Sequence, residues 1–216
     1  MSTLPNHHIP ESVLLEYAAA TLSEAVALVV GTHLALCPRC RELSSDYDAL
    51  GGALMDSGEA QVSDGVLEAI LGKLDETPAT PTPRPVAYNG VIPQPLRDYT
   101  GPFDAIKWNL VAPGIWKLPL PVYSNGRQGA LVHLRGGMRI PVHEHLGTER
   151  TLVLAGGFTD ELSQFVRGDI CVRAQGDGVH KQVIDRGEPC IALALDDDTK
   201  RMKSTFGRVI SRLFDA

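Results

Sequence analysis

Basic residues are scarce in the first third of this 216-residue chain. Positions 1–77 hold 3 Lys/Arg against 12 Asp/Glu, whereas the remainder holds 17 basic and 14 acidic residues, for −6 overall. A phosphate-binding surface needs Lys and Arg. The acidic third therefore speaks against direct contact with nucleic acid and would attract a basic partner, although charge alone reads better as a solvated surface. Long apolar runs are also missing; "AVALVV" (25–30) is among the longest. A membrane-spanning helix needs about 20 such residues, so no membrane contact is expected. The opening "MSTLPNHHIPES" lacks a basic stretch followed by an apolar one, so no signal peptide is expected and the location reads as cytoplasmic. Cysteine is sparse at four residues. Thiols in that compartment stay reduced, which turns a close Cys pair towards metal or redox chemistry rather than a structural disulfide. At 44% hydrophobic and 21% charged the chain is globular, and its length suits one or two domains.

The first third reads as helical. Pro10 suits a first helical turn before "ESVLLEYAAA", and Thr21 with Glu24 has capping-box spacing ahead of "AVALVVGTHLAL". A third helix is expected from Pro38 through Met55. In "SDGVLEAILGKLDE", Leu67, Ile70, Leu71 and Leu74 follow the i, i+3, i+4, i+7 rule of an amphipathic helix, spanning about Asp64–Glu76 and able to dock on a partner. Prolines at 78, 81, 83, 85, 93 and 95 then mark an extended linker. From about Arg97, short runs such as "GIWKLPL", "GALVHLR", "RTLVLAG" and "DICVRA" alternate with turn residues, as in an all-β sandwich or barrel. Near the end, "KSTFGRVISRLF" returns to helical spacing, with Phe206, Ile210 and Leu213 on one face.

Two constellations carry chemistry. In "THLALCPRC", His33 and Cys37 share a helix face. Pro38 disfavours helical backbone at Cys37, so a second helix should start there with Cys40 in its first turn. Three metal-type ligands then converge. A redox C-x₂-C usually follows a strand in a βαβ unit, which is not visible here, although a plain helical core pair is another reading. The fourth ligand is His7 or His8, just before the first helix. This whole stretch, from "HHIPES" to "CPRC", resembles the N-terminal domain of the ChrR-type zinc-binding anti-sigma factors. The resemblance matches His8, with His7 the weaker alternative. It implies a zinc-bound helical domain that holds an extracytoplasmic-function, RpoE-like sigma factor away from RNA polymerase.

The second constellation is "GMRIPVHEHLGTERTLVLAG". Gly137, His143, His145, Glu149 and Gly156 resemble the first cupin motif. His143 and His145 alternate along a strand and face one way, while Glu144 faces outward. A turn at Leu146–Gly147 returns Glu149, and His180 completes the set. The second motif departs from the family: Ala174 replaces Pro, one residue is inserted between Gly176 and His180, and Ile184 replaces Asn. Three His and one Glu suit Zn²⁺, Fe²⁺, Mn²⁺ or Ni²⁺; the resemblance favours zinc. Cys171 and Cys190 read as core packing rather than redox groups, His133 as structural, and Trp108 and Trp116 as barrel packing.

The expected fold class is α+β multidomain: a zinc-bound helical bundle (1–77), a Pro-rich linker (78–96) and an all-β cupin barrel, or jelly roll, with a C-terminal helix (97–216). The expected function is sigma-factor sequestration by a non-enzyme with two zinc sites. One is His8, His33, Cys37 and Cys40; the other is His143, His145, Glu149 and His180. Leu67, Ile70, Leu71 and Leu74 are the expected sigma-contact residues. By resemblance the cupin part governs release on an oxidative signal such as singlet oxygen or an organic hydroperoxide. The alternative is a metal-dependent cupin oxygenase or isomerase with a helical oligomerisation arm.

Overall fold

The computed structural model describes residues 4–56, 58, 62–74, 90–198 and 200–202. Helix α1, Glu11–Ala18, starts after Pro10 in extended backbone and buries Leu14 completely. Helix α2, Glu24–Leu36, is capped by Ser23, whose hydroxyl accepts from the Val26 amide at 3.5 Å. Thr21, the expected cap, instead donates its hydroxyl to the Glu16 carbonyl at 3.1 Å, closing the end of α1. The cap is displaced because Ser23 is the last extended residue before the helix.

Helix α2 is apolar almost all round. Val26, Leu28, Val29, Val30, Thr32 and His33 are all buried, as expected of a helix covered on several sides. Helix α3, Pro38–Asp56, buries Cys40 and Ser44 in its first half. Its second half leaves Leu50, Leu54 and Met55 exposed. Helix α4, Val66–Leu74, buries none of its residues.

Helix α5, Gln94–Thr100, begins inside the stretch read as extended linker. Proline does not prevent this: Pro93 caps the helix and Pro95 lies in its first turn, where no amide donor is required. Leu96 is fully buried, and the Tyr99 hydroxyl donates to the Glu24 carboxylate at 2.7 Å, fastening α5 to α2. The β-structure thus starts near residue 109, rather than directly at 97. Linker residues 78–89 and the expected C-terminal helix with Phe206, Ile210 and Leu213 lie outside the described residues.

Among the described residues eleven strands follow. They are β1 (Asn109–Ala112), β2 (Ile115–Ser124), β3 (Arg127–Leu134), β4 (Arg139–His145), β5 (Glu149–Ala155), β6 (Gly157–Thr159), β7 (Gln164–Val166), β8 (Ile170–Arg173), β9 (Val179–Ile184), β10 (Cys190–Asp196) and β11 (Lys200–Met202). They pair antiparallel in two sheets, ordered β1-β2-β3-β10-β5-β8 and β11-β4-β9-β6-β7. The β2–β3 hairpin turns at Asn125–Gly126, both at positive φ, as a two-residue turn requires.

The larger sheet is buried on both faces. Leu131, Leu152, Leu154, Leu193 and Leu195 join Leu14, Val26 and Val29 of the helices in one core. The alternate residues Val132, Val153, Cys171, Cys190 and Ala192 join Phe158, Phe165 and Ile184 of the smaller sheet in a second core. The result is a three-layer stack of helices, large sheet and small sheet. Among the described residues no helix is long and apolar enough to cross a membrane.

Because the helices and sheets share one core, they should unfold together. Leu193→Ala is expected to cost about 2–5 kcal/mol, shifting the far-ultraviolet helical signal and tryptophan emission to the same new midpoint in denaturant. Two separate midpoints would contradict a shared core.

Candidate metal centres

The first centre lies at the corner between α2 and α3. Cys37 ends α2 in extended backbone (φ −111°, ψ 104°), and α3 departs from Pro38. His33 in the last turn of α2, Cys37 at the corner and Cys40 in the first turn of α3 therefore face a common point. The segment before α1 supplies His8, whose Nδ1 lies 3.3 Å from the Cys37 Sγ. One ligand atom from each of the four falls within 4.8 Å of the others. The edges of a tetrahedral zinc site span about 3.3–3.8 Å, so small side-chain adjustments would close this cage.

The donor set fits a metal for a second reason. His33 is fully buried, yet neither ring nitrogen has a hydrogen-bond partner in good geometry. Such groups are rare unless something else satisfies them. Burial pushes the His33 pKa down to about 4, partly offset by the Gly168 backbone, so the imidazole stays neutral and able to ligate. Burial also lowers that of His8, with Arg39 acting in the same direction. Burial, chiefly, raises that of Cys40 to about 11, so a bound cation would have to displace a proton from the thiol.

His7 does not enter this cluster. Its Nδ1 lies 3.3 Å from Asp169, and its ring packs on Phe165 at 4.3 Å. The choice left open between the two adjacent histidines thus falls geometrically to His8.

The second centre lies between the two sheets. His143 and His145 project from β4, Glu149 from the start of β5 and His180 from β9. The β4–β9 pairing sets His143 directly opposite His180. Glu149 returns on the next strand, as the motif implies, but that strand belongs to the opposite sheet. The ligand set therefore bridges the two layers. His145 Nε2 lies 2.7 Å from His180 Nε2 and 3.2 Å from Glu149 Oε2. All four residues are buried, with ligand atoms within 4.8 Å of one another.

The remaining ring nitrogens face acceptors. His143 Nδ1 donates to the Pro141 carbonyl at 2.9 Å; His145 Nδ1 lies 3.8 Å from Asp196, and His180 Nδ1 3.9 Å from Asp160. Such outer partners fix ring orientation and turn the other nitrogen towards a cation. Asp160 is itself held by the Arg173 guanidinium and by the Leu162 and Ser163 amides.

The other singled-out residues lie apart from both clusters. His133 packs between Trp108 and Trp116, at 5.5 and 4.8 Å between ring centroids. Cys171 and Cys190 are free buried thiols, each pushed up to about 12, mainly by burial. Cys171 lies opposite Thr151, whereas Cys190 precedes Ile191, which is opposite Ala155. That separation of about five positions along β5, roughly 17 Å, is too long for a disulfide. Glu144 is half-buried on the other face of β4. Leu67, Ile70, Leu71 and Leu74 are all more than half exposed, at 63, 55, 51 and 72%. Asp160, Asp169, Asp196 and Arg173 were not expected from the sequence; a carboxylate inside a strand-and-turn pattern reads as a turn residue until pairing shows that it is buried.

Comparison with known proteins gives a consistent result. A family profile described as the ChrR Cupin-like domain matches residues 97–195. The anti-sigma-E factor ChrR of Cereibacter sphaeroides is 38% identical over 211 residues, covering 96% of this chain and 97% of its own length. The crystal structure of Rhodobacter sphaeroides SigE in complex with the anti-sigma ChrR matches at 37% identity and a TM-score of 0.76, covering 89% of this chain and 99% of the matched chain.

Zinc titration should separate the two cages. At saturating zinc the wild type is expected to hold two ions per chain, and Cys40→Ser and Glu149→Gln one each. Only Cys40→Ser should remove zinc–sulfur ligation from the X-ray absorption spectrum, because only the first cage has thiolates. Retention of both ions by either variant would contradict the assignment.

Proposed function

The chain belongs to the ChrR family of anti-sigma factors, and we propose that it binds and sequesters an extracytoplasmic-function, RpoE-like sigma factor, keeping it from RNA polymerase. The observation that carries this reading is a likeness to a named anti-sigma factor that runs through the helices and both sheets rather than the cupin part alone. The protein is a regulator and not an enzyme. Zinc is the metal assigned to both clusters: thiolate and neutral imidazole suit it at the first, and four convergent side chains suit a closed site at the second.

Residues 1–77 form the inhibitory unit and 97–216 the signal-responsive unit, joined through 78–96. Release follows an oxidative signal such as singlet oxygen, and the protein acts in the cytoplasm. The exposed face of α4 is assigned to sigma contact. Four large apolar side chains held in water on one short helix suit burial against a partner. The acidic residues on and around α3 and α4, including Asp46, Asp48, Asp64 and Glu68, suit a basic partner.

Ile70→Asp is expected to weaken binding of the cognate sigma factor at least about tenfold, as loss of an apolar anchor does, with metal content unchanged. Glu149→Gln should bind the sigma factor as the wild type does. Calorimetry alongside transcription by sigma-loaded polymerase reads both. A wild-type chain that neither binds a sigma factor nor represses its transcription would overturn the proposal.

A further inference from the structure

The β7–β8 turn carries a fully buried carboxylate, Asp169. Its Oδ1 accepts the backbone amides of Asn6 and His7 at 2.6 and 2.9 Å, and its Oδ2 accepts that of Val166 at 2.8 Å. The Ile170 amide donates to the His7 carbonyl at 3.3 Å. The segment immediately before His8 is thus laid along the turn, so the residue next to a ligand of the first centre is held by the large sheet. Gly168 tightens this approach. It adopts φ +93°, and a Cβ there would lie 2.5 Å from Pro5 Cγ and 3.5 Å from Leu36 Cβ.

The other end of the same strand serves the second centre. Arg173 is buried on the inner face opposite Glu149 and pairs with Asp160, whose carboxylate faces His180. Asp169 and Arg173 are four residues apart, about 13 Å along an extended chain. Neither charge is required to make a sheet, and burying either one is costly unless it is paired. Both are paired, and each pairing ends beside a ligand of a different centre.

We infer that β8 is a strut coupling the two metal centres, with Asp169 positioning the His8 segment at one end and Arg173, through Asp160, positioning His180 at the other. Coupling through so short a path is reciprocal: a change in ligand geometry at the inter-sheet centre loosens the His8 segment, and the converse holds. The cupin-like layer thereby contributes a positioning residue to the centre of the helical layer. This inference rests on the reading that both clusters bind metal.

Cobalt(II) in the full-length protein tests it, because thiolate ligation gives a charge-transfer band that only the first centre, with Cys37 and Cys40, can produce. Asp169→Asn and Gly168→Ala are expected to lower cobalt affinity at that centre roughly 10–100-fold, as loss of an outer positioning partner does. Arg173→Gln touches no residue of the first centre, yet should lower its affinity about fivefold or more. Asp160→Asn replaces it should Arg173→Gln fail to fold by circular dichroism. First-centre affinity within about twofold of wild type in Asp169→Asn and Gly168→Ala, or in the Arg173 or Asp160 variant, would overturn the coupling. A wild type that shows no thiolate band would overturn the metal reading itself.

Discussion

The break in the backbone between Cys37 and Pro38 organises the helical layer. Proline disfavours helical backbone at the residue before it, and Cys37 accordingly adopts an extended conformation while its amide still donates to the His33 carbonyl at 2.8 Å. The Arg41 guanidinium turns back and donates to the Leu34 carbonyl at 2.7 Å, satisfying one of the acceptors that a helix end leaves open. The chain can therefore change direction without leaving the helical layer. Three ligands converge because one helix ends and another begins within a single residue.

What surrounds that corner decides its chemistry. His33, Cys37 and Cys40 are each no more than 2% exposed, while His8 is half-buried, so the cage is dry except on the His8 side. Burial holds the His33 imidazole without its second proton and pushes the Cys40 thiol up. Binding a cation that displaces the Cys40 proton is therefore linked to both pH and fold. The inter-sheet cluster follows a different principle. Its ligands come from both sheets, and its outer acceptors come from the backbone at Pro141 and from carboxylates at the end of β10 and in the β6–β7 turn. Sheet packing holds its geometry, whereas the corner holds that of the first.

Much of this was legible in the sequence, because the informative features are local. The ligand spacing around Pro38, the alternation of His143 and His145, and the helical period of Leu67, Ile70, Leu71 and Leu74 each depend on residues within a few positions of one another. The choice between His7 and His8 was less so, since adjacent residues share every sequence signal. The structure separates them through a partner 162 residues away: Asp169 receives the His7 amide, and the His8 ring lies by Cys37. The stacking of helices on the large sheet was not legible either. A strand buried on both faces and a strand buried on one differ only in how apolar the alternate positions are, and Leu131–Val132 or Leu152–Val153 fit either reading. Helix α5 was hidden because proline signals extended backbone everywhere except in a first helical turn.

The layering also separates two tasks that a regulator of this kind must combine. Most of α2 and the inner side of the first half of α3, with Cys40 and Ser44, are consumed by the core and by the first centre. The outer half of α3 and all of α4 remain exposed, with Leu50, Leu54 and Met55 on one and four large apolar side chains on the other. Surfaces free to meet a partner are thus distinct from surfaces that meet the sheet. The segment bearing His8 belongs to the second group, pressed between the corner of α2 and α3 and the β7–β8 turn. A disturbance arising between the sheets would reach that segment before it reached the exposed helices.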